Sequence, residues 1–243
     1  MTRIAMISDI HGNLPALQAV MEDIKKRDID MIMCLGDIVG RGPDCTNVID
    51  ICRENCYKVI QGNWDQFLAE DECDDSKWYR NRMGTERIEY LNSLDQSVGF
   101  YISGKYMRLV HASPIDVFYR ISINATREEK LKMFENNYLK TSEGNESPQI
   151  TAYGDIHRQY IEYFEDGRIL FNVGSVGAPY DYVPMAAYTI VEGEYGNLDA
   201  GSFLVSFQKV KYDIEETIKQ AEESGMPDIN TYIQELRTAK YSR

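Results

Sequence analysis

The chain has 243 residues, a formal net charge of −13 and a pI near 4.7. That acidity excludes non-specific binding to DNA or to an anionic membrane, although a local basic pocket for a phosphate remains possible. Hydrophobic residues make up 43% of the chain, enough for a substantial core and above the range of disordered sequences.

The predicted elements begin with a strand at residues 3–7. Asn13 and Pro15 then open a helix with Leu14, Leu17, Val20, Met21 and Ile24 on one face. Residues 31–35 read as a second strand, 46–54 as a helix with Val48, Ile49 and Cys52 inward, and 57–60 as a third strand. This β-α-β-α-β order predicts parallel strands with helices packed outside. The acidic, aromatic-rich segment 66–97 predicts helices. Strands follow at 97–102 and 106–110, joined by a turn at SGK, and residues 127–138 read as a helix. TSEGNESP at 141–148 has the composition of a surface loop. From Ile150 strands dominate, at 150–153, 159–164, 168–171, 186–191 and 202–208, with EDG at 165–167 marking a hairpin. Asp213 and Glu216 have capping-box spacing ahead of a helix that Gly225 stops, and a last helix covers 228–239. The chain starts as α/β and becomes β-rich, so two packed sheets are expected. The expectation is a single domain over 1–243, with 213–243 as a helical tail packed on it.

The five cysteines, Cys34, Cys45, Cys52, Cys56 and Cys73, form no CxxC pair, and their odd count suits reduced thiols. The opening MTRIAMISDIHGN turns polar too soon for a signal peptide, and no stretch has the length of a membrane span. A soluble cytoplasmic protein is expected.

The polar residues that follow each apolar run form a pattern. RIAMIS is followed by Asp9 and His11, MIMCLG by Asp37, YKVIQG by Asn63, MRLV by His111, ITAYG by Asp155 and His157, and ILF by Asn172 and Ser175. In a sheet with crossover helices, strand C-terminal ends gather on one edge, where ligand sites form. Any one histidine is ordinarily a satisfied structural residue or a cap, and a lone aspartate is ordinarily a turn residue. All three histidines of the chain stand at such ends, and that joint occurrence favours a metal cluster. Oxygen and imidazole donors without thiolate suit Mn, Fe or Zn. Seven candidate ligands exceed one ion's needs, and two ions sharing a carboxylate fit the count.

SDIHGN, GDIVGRGP, GNWD, VHASP, GDIH and NVGSVGAP occur in the order found in the calcineurin-like metallophosphoesterases, and the chain resembles their small bacterial and archaeal phosphodiesterase branch from residue 4 to about 190. The resemblance implies a metallophosphoesterase-type, four-layer β-sandwich flanked by helices, with a dinuclear centre at one edge. Asp9, His11, Asp37 and His157 would hold one metal. Asp37 would bridge to a second, ligated also by Asn63 and His111.

Two positions depart from that pattern. GDIH places Asp155 where G-H-x-H has a histidine; kept as a ligand, its harder carboxylate would favour Mn2+ or Fe3+ over softer ions, with Zn2+ also possible. Trp64 replaces the histidine of G-N-H-D, which in relatives assists phosphate binding or leaving-group protonation. Its indole is only a donor, so it is either packing over an inactive site or an aromatic wall for a base, the second being favoured. Arg41 in GRGP either meets a distal phosphate or is an exposed loop arginine. Asn172 and Ser175 read as support, and the Tyr180-Asp181-Tyr182 cluster reads as cover for a sheet edge.

The expected activity is hydrolysis of a phosphodiester or phosphoanhydride of a small, nucleotide-like substrate by a metal-bridging hydroxide, with Asp9, Asp37, Asn63 and His111 carrying the chemistry and Arg41 and Trp64 contacting substrate. A dinucleoside polyphosphate hydrolase falls within this reading. No nucleic-acid polymer or membrane partner is expected. The alternatives are a protein serine/threonine phosphatase, which generally keeps the G-N-H histidine, and a non-catalytic metal or nucleotide sensor, which Trp64 and Asp155 keep open.

Overall fold

The computed structural model of the protein describes residues 1–70, 73–135, 137–142 and 146–242. The predicted opening unit is present: β1 (Thr2–Ile7), α1 (Leu14–Ile24), β2 (Met31–Cys34), α2 (Cys45–Asn55) and β3 (Lys58–Val59), with β1, β2 and β3 parallel. The acidic segment forms α3 (Asn63–Glu70) and α4 (Asp74–Ser93), the latter broken at Gly84, whose φ of 74° no helix accommodates. Then come β4 (Ser97–Ile102), β5 (Lys105–Val110), α5 (Arg127–Leu131), β6 (Ile150–Tyr153), β7 (Tyr160–Tyr163), β8 (Ile169–Asn172), β9 (Ala186–Gly193), β10 (Leu204–Val210), α6 (Ile214–Ser224) and α7 (Ile229–Thr238).

Two differences from expectation have clear causes. The helix expected at 127–138 ends after α5 in a 3-10 turn, Lys132–Phe134, that drives Met133 and Phe134 into the core. Helix α3 starts three residues earlier than expected, at Asn63, because buried carboxylates take its first N–H groups: Asp65 accepts from Gly62 and Asp37 accepts from Trp64. Of the loop expected at 141–148, residues 143–145 lie outside the described residues, and the rest is neither helix nor strand.

The strands form two mixed five-stranded sheets, ordered β10-β9-β1-β2-β3 and β4-β5-β6-β8-β7. Alternation along β1 shows how they stack. Ile4 and Met6 face an inter-sheet core with Met33, Leu109, Ala152 and Phe171, whereas Ala5 and Ile7 face outward to Leu17, Val20, Val48 and Ile49 of the helices. On the outer face of the second sheet, Tyr153 and Leu170 pack against Met133 and Phe134. Helix, sheet, sheet and helix thus form four layers. Helix α6 packs on α1 and α7 on α6. No helix of the described residues is long and apolar enough to cross a membrane.

The topology positions the site. Strands β1, β2 and β3 run parallel in one sheet, and β5, β6 and β8 run parallel in the other. Every polar cluster singled out in the sequence leaves the C-terminal end of one of these six strands.

Candidate metal centre

The loops after these strands are tight. Asp9, His11, Asp37, Arg41, Asp155 and His157 all have left-handed backbones, with φ between 48° and 65°. Such conformations cost about 1 kcal/mol or more each for residues with a side chain and cluster where function over-determines the chain. They are held here by main-chain bonds between loops: Ile10 and His11 donate to Asp37 O, and Asp9 N donates to Gly36 O. Asp65 ties the group together, accepting from Ile38, Val39 and Gly62 N–H groups, so its role is to fix the Asp37 loop against the start of α3. Gly62 is required there, since a Cβ would lie 2.2 Å from Asp37 Oδ1.

Six of the seven candidate ligands converge. One group is Asp9, His11 and His157, and another is Asp9, Asp37 and His111. Asn63 Oδ1 lies 3.0 Å from His111 Nε2. Asp37 stands between the groups, with Oδ2 3.5 Å from His11 Nε2 and Oδ1 3.4 Å from His111 Nε2. The seventh, Asp155, joins neither group: its carboxylate is bound by Arg120, while its backbone N–H donates to Asp9.

The three imidazoles share one tactic. Each Nδ1–H donates to a main-chain carbonyl: His11 to Val39 at 3.1 Å, His111 to Leu35 at 2.7 Å and His157 to Ala178 at 2.5 Å. That fixes the ring and, in the neutral imidazole, leaves Nε2 as the inward lone pair, the arrangement that supports metal-ligating histidines. His11 Nε2 and His157 Nε2 then face each other at 3.2 Å. Two lone pairs at that separation repel unless a proton or a cation lies between them, and ligands at about 2.1 Å and a right angle on one ion would stand about 3 Å apart. The donor set therefore fits metal.

The electrostatics agree. Burial, with His157 and Arg41 close by, pushes His11 well below the usual imidazole value, keeping it neutral. Burial works against ionisation of Asp9, but His157 and His111 outweigh it and hold the carboxyl below its usual range. Burial raises Asp37, more than His111 can offset, and burial beside Asp37 pushes Asp65 up to about 7. For His111, burial opposes protonation, yet Asp37 and Asp9 carry it well above the usual value. This crowding of buried carboxylates is what a multivalent cation relieves.

The comparisons agree with this geometry. The family model for the calcineurin-like phosphoesterase superfamily domain matches residues 2–221. The chain belongs to the calcineurin-like phosphoesterase superfamily. It is 30% identical over 241 residues to the uncharacterized protein MJ0912 of Methanocaldococcus jannaschii, covering 93% of this chain and 94% of that one. It is similar to a metallophosphoesterase from Sphaerobacter thermophilus, at 26% identity and a TM-score of 0.76, covering 98% and 99% of the two chains. A 66-residue stretch, 26% of this chain and 24% of the relative, is 35% identical to a symmetrical bis(5'-nucleosyl)-tetraphosphatase of Erwinia tasmaniensis.

Around the candidate centre, Trp64 is half-buried. Its ring packs on Gly40, where a Cβ would lie 2.3 Å from the indole, and meets the His11 ring edge-on at 6.1 Å. It lines two cavities. One, about 380 Å³, contains Arg41, Arg120, His157, Tyr180 and Tyr241. The other, about 350 Å³, is aromatic, with Phe67, Tyr79 and Phe118 beside Asn63. A larger depression between α1, α2 and β10 lies away from the strand ends and holds none of the candidate ligands.

Arg41 is not an exposed loop residue. It is buried, and its Nη2 donates to Glu235 of α7 at 2.6 Å and to the Tyr180 hydroxyl. Asn172 and Ser175 are supports as expected: Ser175 Oγ donates to Asp9 O and Asn172 bonds the Gly154 carbonyl. Tyr180 does not merely cover a sheet edge, because its ring stacks on His157 at 4.5 Å and lines the cationic cavity. Arg120 and Glu235 were not singled out in the sequence. Arg120 carries one weak signal, its place on the loop that follows His111, and Glu235 carries none.

Proposed function

We propose that the protein is a metal-dependent phosphoesterase that hydrolyses a phosphodiester or phosphoanhydride of a small, nucleotide-like substrate at a two-metal centre. The observation that carries this reading is the 3.2 Å approach of His11 Nε2 and His157 Nε2, each with its Nδ1 committed to a carbonyl. Asp9, His11, Asp37 and His157 would hold one ion, and Asp37, Asn63 and His111 the second. When bound, two cations supply an activated water at neutral pH and stabilise charge on the phosphoryl oxygens. The nitrogen and oxygen donors suit Mn2+ or iron, and Zn2+ as well.

The chain's own groups orient and enclose. The carbonyls of Val39, Leu35 and Ala178 aim the imidazoles. Trp64 and its neighbours wall the cleft against water. No group at position 64 can give a proton to the departing oxygen, so substrates whose leaving group departs unaided are favoured. A phosphoanhydride meets that demand, and the named activity of the Erwinia relative points the same way. The aromatic cavity offers flat surface for a base beside Asn63, and cavities of this size suit a small ligand rather than a phosphoprotein surface. The five cysteines are free thiols, in keeping with action in the reducing cytoplasm.

Release of nitrophenol from bis- and mono-nitrophenyl phosphates by Mn2+-loaded protein tests the reading. Turnover that stops on chelation and returns with metal is expected; no turnover of either ester with two metals bound would favour a sensor instead. Trp64→His supplies the missing proton donor. It is expected to raise turnover of alkyl esters relative to nitrophenyl esters, by up to about 10²–10⁴-fold. An unchanged ratio would show that leaving-group protonation is not what position 64 controls.

A further inference from the structure

Both oxygens of Asp155 are taken up by one partner. Arg120 Nε donates to Oδ2 at 2.7 Å and Nη2 donates to Oδ1 at 2.9 Å. This two-pronged contact is the most directional that a carboxylate and a guanidinium make. The two side chains differ sharply in environment: Asp155 is 3% exposed and Arg120 is 56% exposed. A buried acid therefore holds an arginine at the lip of the cleft. The fork uses Nε and Nη2, so Nη1 keeps two N–H groups for another acceptor.

The same residue connects that arginine to the centre. Asp155 N–H donates to Asp9 Oδ1 and Oδ2 at 3.2 and 3.1 Å, and Asp9 Oδ1 lies 3.2 Å from His157 Nε2. Arg120 also shares its cavity with His157, Tyr180 and Arg41. Arg41 is less suited to meeting a ligand, being 6% exposed and bonded to Glu235. Charge also points away from coordination by Asp155. A histidine at this position would add no net charge, and a carboxylate with its own guanidinium adds none either. A lone carboxylate would have added a negative charge beside buried Asp9 and Asp37.

We propose that Asp155 is a positioning residue rather than a metal ligand, and that it holds Arg120 so that Nη1 binds a non-bridging oxygen of the phosphoryl group at the centre. The inference rests on the phosphoesterase reading and names what orients the anion within it. An oriented donor of this kind gains strength as charge builds on the equatorial oxygens.

Arg120→Gln, Asp155→Asn, the double variant and Arg120→Lys test the proposal in Mn2+-loaded protein. Metal content by elemental analysis and affinity for inorganic phosphate by calorimetry are the readouts, with nitrophenyl ester kinetics alongside. Asp155→Asn is expected to keep the wild-type metal count. Each single variant to a neutral side chain is expected to weaken phosphate binding roughly 10- to 100-fold. The double variant should bind no more weakly than Arg120→Gln, since both changes remove one interaction. Arg120→Lys should recover part of the loss. Loss of a metal in Asp155→Asn overturns the proposal. So does equal phosphate affinity in wild type and Arg120→Gln, including no binding by either; because Arg120 is largely exposed, this arm stands even if Asp155→Asn fails to fold. Wild-type protein that binds phosphate but hydrolyses no ester would sink the phosphoesterase reading, while the phosphate data still decide the role of Arg120.

Discussion

Asp37→Asn is expected to lower kcat by roughly 10³-fold or more, since a metal centre supplies several kcal/mol of transition-state stabilisation and each 1.36 kcal/mol is tenfold. The substitution keeps the size of the side chain and can still accept from Trp64 N–H, so the start of α3 should survive. What it removes is the pair of anionic oxygens that face His11 at 3.5 Å and His111 at 3.4 Å. The same change relieves repulsion between buried carboxylates, because Asp37 is fully enclosed with Asp9 and Asp65 close by. Metal-free Asp37→Asn protein should therefore melt no lower than metal-free wild type. The stabilisation that wild type gains from added Mn2+ by mass action should largely disappear. Thermal melts with and without Mn2+, beside elemental analysis, separate these effects. A variant that keeps both metals and full turnover would remove Asp37 from the centre.

Glu235→Ala is expected to cost about 3–5 kcal/mol of stability, the usual consequence of leaving one member of a buried ion pair alone. Glu235 is 2% exposed and Arg41 is 6% exposed, with 2.6 Å between Nη2 and Oε2. For a chain of this length the loss corresponds to a fall in melting temperature of about 10 °C. Replacing both members, Arg41→Leu with Glu235→Leu, should cost less than Glu235→Ala alone, because no uncompensated charge remains. Ester hydrolysis should suffer too, since Arg41 stands in the cavity beside His157. A Glu235→Ala protein that melts with wild type would show that solvent reaches Arg41 and that the pair contributes little.

The parallel strands and their terminal candidate ligands were legible in the sequence because each strand is a short apolar run followed closely by an aspartate, asparagine or histidine. An apolar strand and a polar cluster at its end leave separate marks on local composition. Asp9, His11, Asp37, Asn63, His111 and His157 could be picked out for that reason, and the structure brings them together. Arg120, Tyr180 and Glu235 belong to another kind of information. Their roles depend on which distant side chain each meets: Arg120 on Asp155, 35 residues away, and Glu235 on Arg41, 194 residues away. No local pattern encodes such a pairing, and Glu235 reads as an ordinary helix glutamate. Asp155 was visible as a strand-end acid, but its partner was not, so donor type alone suggested a ligand. The start of α3 was misread for a related reason. Its capping carboxylates include Asp37, which arrives from another strand rather than from the preceding residue.

The distance between Arg41 and Glu235 also sets an order of events during synthesis. At roughly 5–20 residues per second, the ribosome would deliver Glu235 some 10–40 s after Arg41, across the 194 residues that separate them. In that interval the loops of the first sheet that carry the candidate ligands can close on one another through the bonds between Asp9, Ile10, His11 and the Asp37 loop. The arginine beside them must stay hydrated until α7 arrives and supplies its counter-charge. The cleft is thus completed last from the far end of the chain, and a ribosome-stalled chain ending before Ile229 would carry the candidate ligands without the clamp that holds Arg41 in place.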